Sequence, residues 1–288
     1  MSDGPRLLAI SDLHVGHRGQ LEQLRAMPSC PDDWLIVAGD VGDRPSQLVQ
    51  AWEVLVPRFA KVLWVPGNHE LWSVEPGDPR GEARYLQQVQ VCRDHGVVTP
   101  EDPWLTFMGQ GGPAVIALLF LGFDYSMRPD DVPAEGVLDW AREDGIRSRD
   151  EALLHCDPYP SRAAWCAARC DAAEARLAAL PADVPPVLVN HYPLREDLVR
   201  LFRIPRFVPW CGTRRTEDWH RRFGARACVN GHLHMRSTDW RDGVRFEEVA
   251  LGYPRHWHQE KGIGAYVREI LPGPTEAVAG DAGPNWHR

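Results

Sequence analysis

Five short runs of Asp, Asn and His, each set directly after an apolar stretch, constrain this chain more than any other feature. They are Asp12-Leu13-His14, Gly39-Asp40-Val41-Gly42-Asp43, Gly67-Asn68-His69-Glu70, Asn190-His191 and Gly231-His232-Leu233-His234. The stretches ahead of them, Leu7–Ile10, Trp34–Ala38, Val62–Val65, Val187–Val189 and Arg226–Val229, are aliphatic and β-branched and read as strands. A polar side chain at the end of a buried strand has a rigid mount. A fold that brings these strand ends to one edge gathers every ligand-type side chain in one place.

The intervening segments predict how the strands connect. Pro45–Arg58 starts with a helix-compatible proline and carries Leu48, Val49, Trp52, Leu55 and Val56 on one face. Strand and helix alternate, so a largely parallel sheet covered by helices is expected. Val115–Phe123 reads as a further buried strand, and Ser161–Leu180 as a helix capped by Ser161 and stopped by Pro181. Asp242-Gly243 between Ser237–Trp240 and Val244–Val249 signals a hairpin. Arg128–Pro160 is rich in charge and proline, so residues 124–160 are expected to form a partly exposed insertion that shapes substrate access. One domain is expected over residues 1–271, with a mobile tail over 272–288.

Composition narrows the partners. The net charge is −8, which argues against adhesion to nucleic acid or an anionic membrane. No apolar run approaches the roughly 20 residues of a membrane helix. Met1–Arg6 leads straight into the first strand, so no signal peptide is expected. The seven cysteines are odd in number and lack a CxxC pair, which fits reduced thiols and a cytoplasmic location. Cys166 and Cys170, four apart on a helix, read as a packing stripe. No residue pattern specifies an oligomeric state.

Carboxylate, imidazole and amide side chains together suit divalent Mn, Fe, Zn or Co. Asp12 and His14, two apart, are expected to share one face of a strand and one ion. Asp40 is placed to bridge two ions through its two oxygens, Asn68 to give the second ion a neutral oxygen, and His191, His232 and His234 to supply nitrogens. Two ions about 3.5–4 Å apart activate water and clamp the attacking and leaving oxygens of a phosphoryl displacement. His69, next to Asn68, is expected to point across the cleft and act on the leaving oxygen. His17, His95, His155, His220, His256, His258 and His287 match no motif and read as surface or packing residues, though His17 and Arg18 lie near enough to reach a substrate.

With these motifs the chain resembles the calcineurin-like metallophosphoesterases. The resemblance implies a four-layer α/β/β/α sandwich, two mixed sheets flanked by helices. It implies one metal on Asp12, His14, Asp40 and His234, a second on Asp40, Asn68, His191 and His232, and His69 as the catalytic acid. Mn and Fe are the ions expected first. A narrower set of stretches, Pro31–Asp40, Val65–Trp72, Trp210–Thr213 and Gly243–Val249, resembles the actinobacterial phosphopantetheinyl hydrolases. That likeness implies removal of 4′-phosphopantetheine from holo-acyl carrier protein, with Arg128, Arg142, Arg147, Arg149 and Arg162 available to meet an acidic carrier. A small-molecule phosphomonoesterase or cyclic-nucleotide phosphodiesterase is the alternative on the same site. A non-catalytic scaffold is disfavoured because every ligand and His69 are present.

Overall fold

The computed structural model describes residues 4–274 and 284–287. In chain order the strands and α-helices are β1 (Leu7–Ile10), α1 (Gln20–Arg25), β2 (Cys30–Val37), α2 (Pro45–Leu55), β3 (Phe59–Trp64), α3 (Gly81–Asp94), β4 (Leu105–Phe107), β5 (Ala114–Leu118) and α4 (Val137–Glu143). There follow α5 (Asp150–Leu153), α6 (Arg162–Ala178), β6 (Pro186–Val189), α7 (Trp219–Arg222), β7 (Ala227–Asn230), β8 (Ser237–Arg241), β9 (Val244–Glu248), β10 (Arg268–Leu271) and β11 (Asn285–Trp286).

The strands form a sheet of order β10-β1-β2-β3 and a second of order β11-β8-β9-β7-β6-β5-β4. Pairing is parallel through β1-β2-β3 and through β5-β6-β7-β9, so the C-terminal ends of the motif-bearing strands lie on a common side. The period-2 alternation of each strand divides its side chains. Leu7, Ala9, Ile36, Ala38, Leu63 and Val65 face Ile116, Leu118, Val187, Val189, Ala227 and Val229 of the other sheet. Leu8, Ile10, Leu35, Val37, Val62 and Trp64 face outward against a helix layer that includes Leu48 and Trp52 of α2 and Tyr85 and Val89 of α3. Leu188 and Cys228 pack outward against Cys166, Cys170 and Leu177 of α6 and Trp219 of α7. The result is the expected α/β/β/α sandwich, with both sheets mixed because β10, β4, β8 and β11 pair antiparallel. Asp242 and Gly243 both take positive φ at the β8–β9 turn, as the hairpin required.

One expectation is corrected. The strand expected over Val115–Phe123 leaves its ladder after Leu118, and Gly122 and Tyr125 turn the chain through positive φ. The 124–160 segment, expected as a partly exposed insertion, mixes exposed positions with the buried Met127, Val137, Ala141 and Asp150, and α4 and α5 lie within it. Most of the expected mobile tail, residues 275–283 and Arg288, lies outside the described residues, but Asn285 and Trp286 pair with Thr238 and Ser237 as an added edge strand. Among the described residues no helix is long and apolar enough to cross a membrane.

Candidate metal centre

All eight expected site residues converge at the shared strand edge, and backbone bonds knit their loops together. Asp12 N–H donates to Gly39 O (2.9 Å), His14 N–H to Asp40 O (3.0 Å) and Gly231 N–H to His191 O (2.9 Å). Five of the eight, Asp12, His14, Asp40, His232 and His234, hold positive φ between 42° and 73°. Side chains in that region are strained and persist where the surroundings over-determine them. The Asp-x-His and His-x-His pairs therefore lie beyond the strand ends. The paired side chains meet because both residues turn through left-handed backbone beyond the strand end, not because they alternate along it. The glycines in the motifs allow the close approach: a Cβ on Gly67 would sit 2.1 Å from Asp40 Oδ1, and one on Gly231 2.3 Å from Asp12 Oδ2.

The donors fall into groups whose ligand atoms lie within 4.8 Å of one another: Asp12, His14 and His234; Asp40, His191 and His232; and His14, Asp40 and His69. His234 Nε2 lies 2.9 Å from Asp12 Oδ1 and 3.3 Å from His14 Nε2. Asp40 Oδ2 lies 3.5 Å from His191 Nε2 and 3.9 Å from His14 Nε2, so it faces both halves of the centre. Asp40 Oδ1 is occupied as the acceptor of His69 N–H at 3.0 Å. Oδ2 is thus the Asp40 oxygen left facing the ligand groups.

The donor set fits two divalent cations on the evidence of its unpartnered atoms. Asn68 Oδ1, His191 Nε2 and His232 Nε2 are buried without a hydrogen-bond partner. Such orphaned groups are costly unless something binds them. His191 Nδ1–H donates to Ala38 O at 2.8 Å, so Nε2 is the nitrogen that faces the centre; burial opposes its charge, but Asp40 outweighs it and raises His191 to about 10, so a cation there would displace its proton. Burial and the facing His191 push His232 down to about 3, so it is a neutral donor. Asp12 and Asp40 are held as carboxylates, since neighbouring imidazoles outweigh the burial that opposes their charge.

His69 differs from these. It stacks on Trp72 at 3.8 Å, and its Nδ1–H donates to Asp43 Oδ1 at 2.7 Å. Burial disfavours the imidazolium, but Asp40 and the hydrogen-bonded Asp43 outweigh it and raise His69 to about 9. It lines a cavity of about 400 Å³ together with Asp40, Asn68, His232, His234 and Tyr253, whereas His191 lies behind that surface.

Residues 5–236 match the calcineurin-like phosphoesterase family. The chain belongs to that family. It is 48% identical over 278 residues to the acyl-carrier-protein phosphodiesterase PptH of Mycobacterium tuberculosis, which covers 95% of this chain and 85% of that protein. The crystal structure of phosphopantetheinyl hydrolase PptH from the same organism superposes with a TM-score of 0.90 at 46% identity, covering 96% of this chain and 99% of that one. The centre is thus that of a metallophosphoesterase, and its supporting residues can be sorted on that basis.

Several of those supports were not read from the sequence. Glu70, fully buried, accepts from Val41 N–H (2.6 Å), Gly67 N–H (2.8 Å) and Asp40 N–H (3.0 Å), clamping two ligand loops together. Burial and the charge of Asp40 raise its carboxyl to about 7. Glu248 acts likewise on the last loop, accepting from Met235 N–H (3.1 Å) and from Arg236 N–H. Asp150 Oδ1 accepts from Asn68 Nδ2 (3.0 Å) and Trp72 Nε1 (2.7 Å), which turns Asn68 Oδ1 toward the centre. His256, expected as a packing residue, shares an Nδ1–Nδ1 hydrogen bond with His234 at 2.9 Å. The GDxxD and GNHE spacings hinted at Asp43 and Glu70; nothing local marks Asp150 or His256.

The arginines expected to meet a carrier are mostly engaged internally. Arg162 donates to Tyr125 Oη, Glu151 and the carbonyls of Asp150 and Leu154, and Arg128 to those of Val132 and Tyr125. Arg142 pairs with Asp139, and Arg149 lies 4.8 Å over the Trp72 ring. His17 and Arg18 are exposed at the rim, with the His17 ring 5.0 Å from that of Tyr253.

Proposed function

We propose that this protein hydrolyses the phosphodiester of holo-acyl carrier protein, releasing 4′-phosphopantetheine and returning the carrier serine. The observation that carries the reading is a pair of ligand groups sharing Asp40 Oδ2, beside a protonatable His69 on an open cavity. The PptH relatives supply the substrate. Asp12, His14, Asp40 and His234 would hold one divalent ion and Asp40, Asn68, His191 and His232 the other, with Mn or Fe as the preferred metals in a cytoplasmic enzyme. Such ions neutralise charge on the phosphoryl oxygens and lower the pKa of water.

The chain's own residues supply the proton traffic and the alignment. His69 enters as imidazolium, held by Asp43, and gives its Nε2 proton to the serine oxygen as the P–O bond breaks. Water adds to phosphorus and releases a proton to solvent, so the new oxygen resides on the released phosphopantetheine. The neutral His69 then regains a proton from solvent, which closes the cycle. Glu70 and Glu248 fix the loops throughout, which keeps the reacting groups within the narrow geometry that in-line displacement needs. Turnover of holo-carrier in ¹⁸O-water tests the bond assignment. Label in the phosphate of phosphopantetheine and a phosphate-free carrier are expected; phosphoserine left on the carrier would refute it.

A further inference from the structure

A second cavity of about 570 Å³ adjoins the first and shares Leu201, Arg203, Ile204 and His234 with it. Its rim carries three of the five exposed large apolar side chains among the described residues: Phe202 (80% exposed), Ile204 (40%) and Trp286 (40%). Large apolar groups clustered this way on a soluble surface mark an interaction site. They are not on a loose loop. Arg200 makes a two-pronged bond to Asp239 of β8 (3.0 and 2.7 Å) at one end of the segment. At the other end Arg206 stacks 4.9 Å over Trp140 and pairs with Glu143 (2.6 Å) and Asp144 (3.1 Å) around the end of α4. Trp286 is placed by β11, with His287 N–H donating to Arg236 O (2.8 Å).

The charge of this mouth runs against that of the chain. Arg200, Arg203, Arg236 and Arg255 line the two cavities, and the one carboxylate among the lining residues is Asp40. Arg203 and Arg255 are exposed, and neither forms an ion pair among the described residues. In a protein of net charge −8, a basic, apolar rim around the metal cavity selects a partner with the opposite surface.

Resting on the activity proposed above, we infer that the 199–206 segment and the C-terminal strand form the docking surface for an acidic protein that carries phosphopantetheinyl serine. Phe202, Ile204 and Trp286 supply the apolar anchor, and Arg203 the charge contact. The carrier's serine is thereby delivered to the cavity beside His234. The 124–160 segment buttresses the surface through α4, which gives it a role in access.

The experiment compares F202S/R203E with wild type on holo-acyl carrier protein and on a small aryl phosphodiester, with metal content and thermal stability measured in parallel. Met108, 74% exposed just after β4 at the opposite sheet edge, provides M108S as the control. Expected is a fall of about tenfold or more in kcat/KM for holo-carrier in F202S/R203E. F202S alone, whose side chain lines only the second cavity, shows the same direction of loss on holo-carrier with small-diester turnover within about twofold of wild type, and M108S behaves as wild type. A second variant lacking residues 275–288 should show the same selective loss. Unchanged carrier turnover in both variants overturns the docking surface while leaving the activity standing. Failure of wild type on holo-carrier, with the small diester still cleaved, overturns the activity itself. A wild-type dimer that F202S/R203E dissociates assigns the surface to a second copy and overturns the inference.

Discussion

Asp150→Ala removes a buried carboxylate that lies outside the three ligand groups, yet it should selectively weaken one half of the metal centre. Its Oδ1 accepts from Asn68 Nδ2 and Trp72 Nε1, and its Oδ2 from Ser148 Oγ at 3.0 Å. Hydrogen bonds to charged acceptors contribute about 1.5–3 kcal/mol each, but burial raises the Asp150 carboxyl and so offsets part of that gain. A net stability loss of about 2–4 kcal/mol follows, with two buried donors left unpaired. Without its anchor the Asn68 amide can present either Nδ2 or Oδ1 to an ion. Loss of an outer hydrogen bond of this kind lowers metal affinity about 10–100-fold. Asp150→Asn is the discriminating partner: its side-chain oxygen still accepts from Asn68 and Trp72, and its amide can donate to Ser148. Calorimetric titration with Mn should show one site weakened in Asp150→Ala and both intact in Asp150→Asn, with activity of the alanine variant recovering in excess metal. Two sites of wild-type affinity in a merely less stable Asp150→Ala would refute the orienting role.

Asp40→Ala should lose both ions and all turnover, read by elemental analysis of dialysed protein, because Oδ2 faces both ligand groups. His69→Ala should keep two ions and lose about 10²–10⁴ in kcat. Its Nε2 is 3.8 Å from Asp40 Oδ2, so loss of an ion in that variant would make it a ligand instead. Burial raises the thiols of Cys92, Cys211 and Cys228, and the Cys170 hydrogen bond together with burial raises that of Cys166. Under native conditions a thiol reagent should therefore modify the half-exposed Cys30 and Cys156 first, as peptide mapping would read.

What was legible in the sequence was what strands and their ends impose. Leu7–Ile10 and the other motif strands alternate between two buried faces, so their apolar runs locate both the sandwich and the ligand loops. The hairpin was equally plain, because Asp-Gly takes the positive φ a two-residue turn demands. Helix α3 was not legible: its buried face includes Arg84 and Gln88, which spend their polarity on Glu70 O and Asp43 O inside the fold. Within 124–160 the buried positions were hidden for the same reason, since Glu151, Glu143 and Asp144 are satisfied by tertiary partners, Arg162 and Arg206. Trp286 and Asn285 gain their strand from the edge of β8, a contact that proline- and glycine-rich flanks do not advertise. Asp150 lies 82 residues from Asn68 and His256 lies 22 from His234, so only the fold could pair them.

The most direct test of the account is the intact mass of holo-acyl carrier protein after incubation with the Mn-loaded protein, run beside Asp40→Ala and a chelated sample. Conversion of holo- to apo-carrier is expected from the loaded wild type alone. A holo mass that stays unchanged, while the same preparation turns over nucleotides or simple phosphomonoesters, would contradict it.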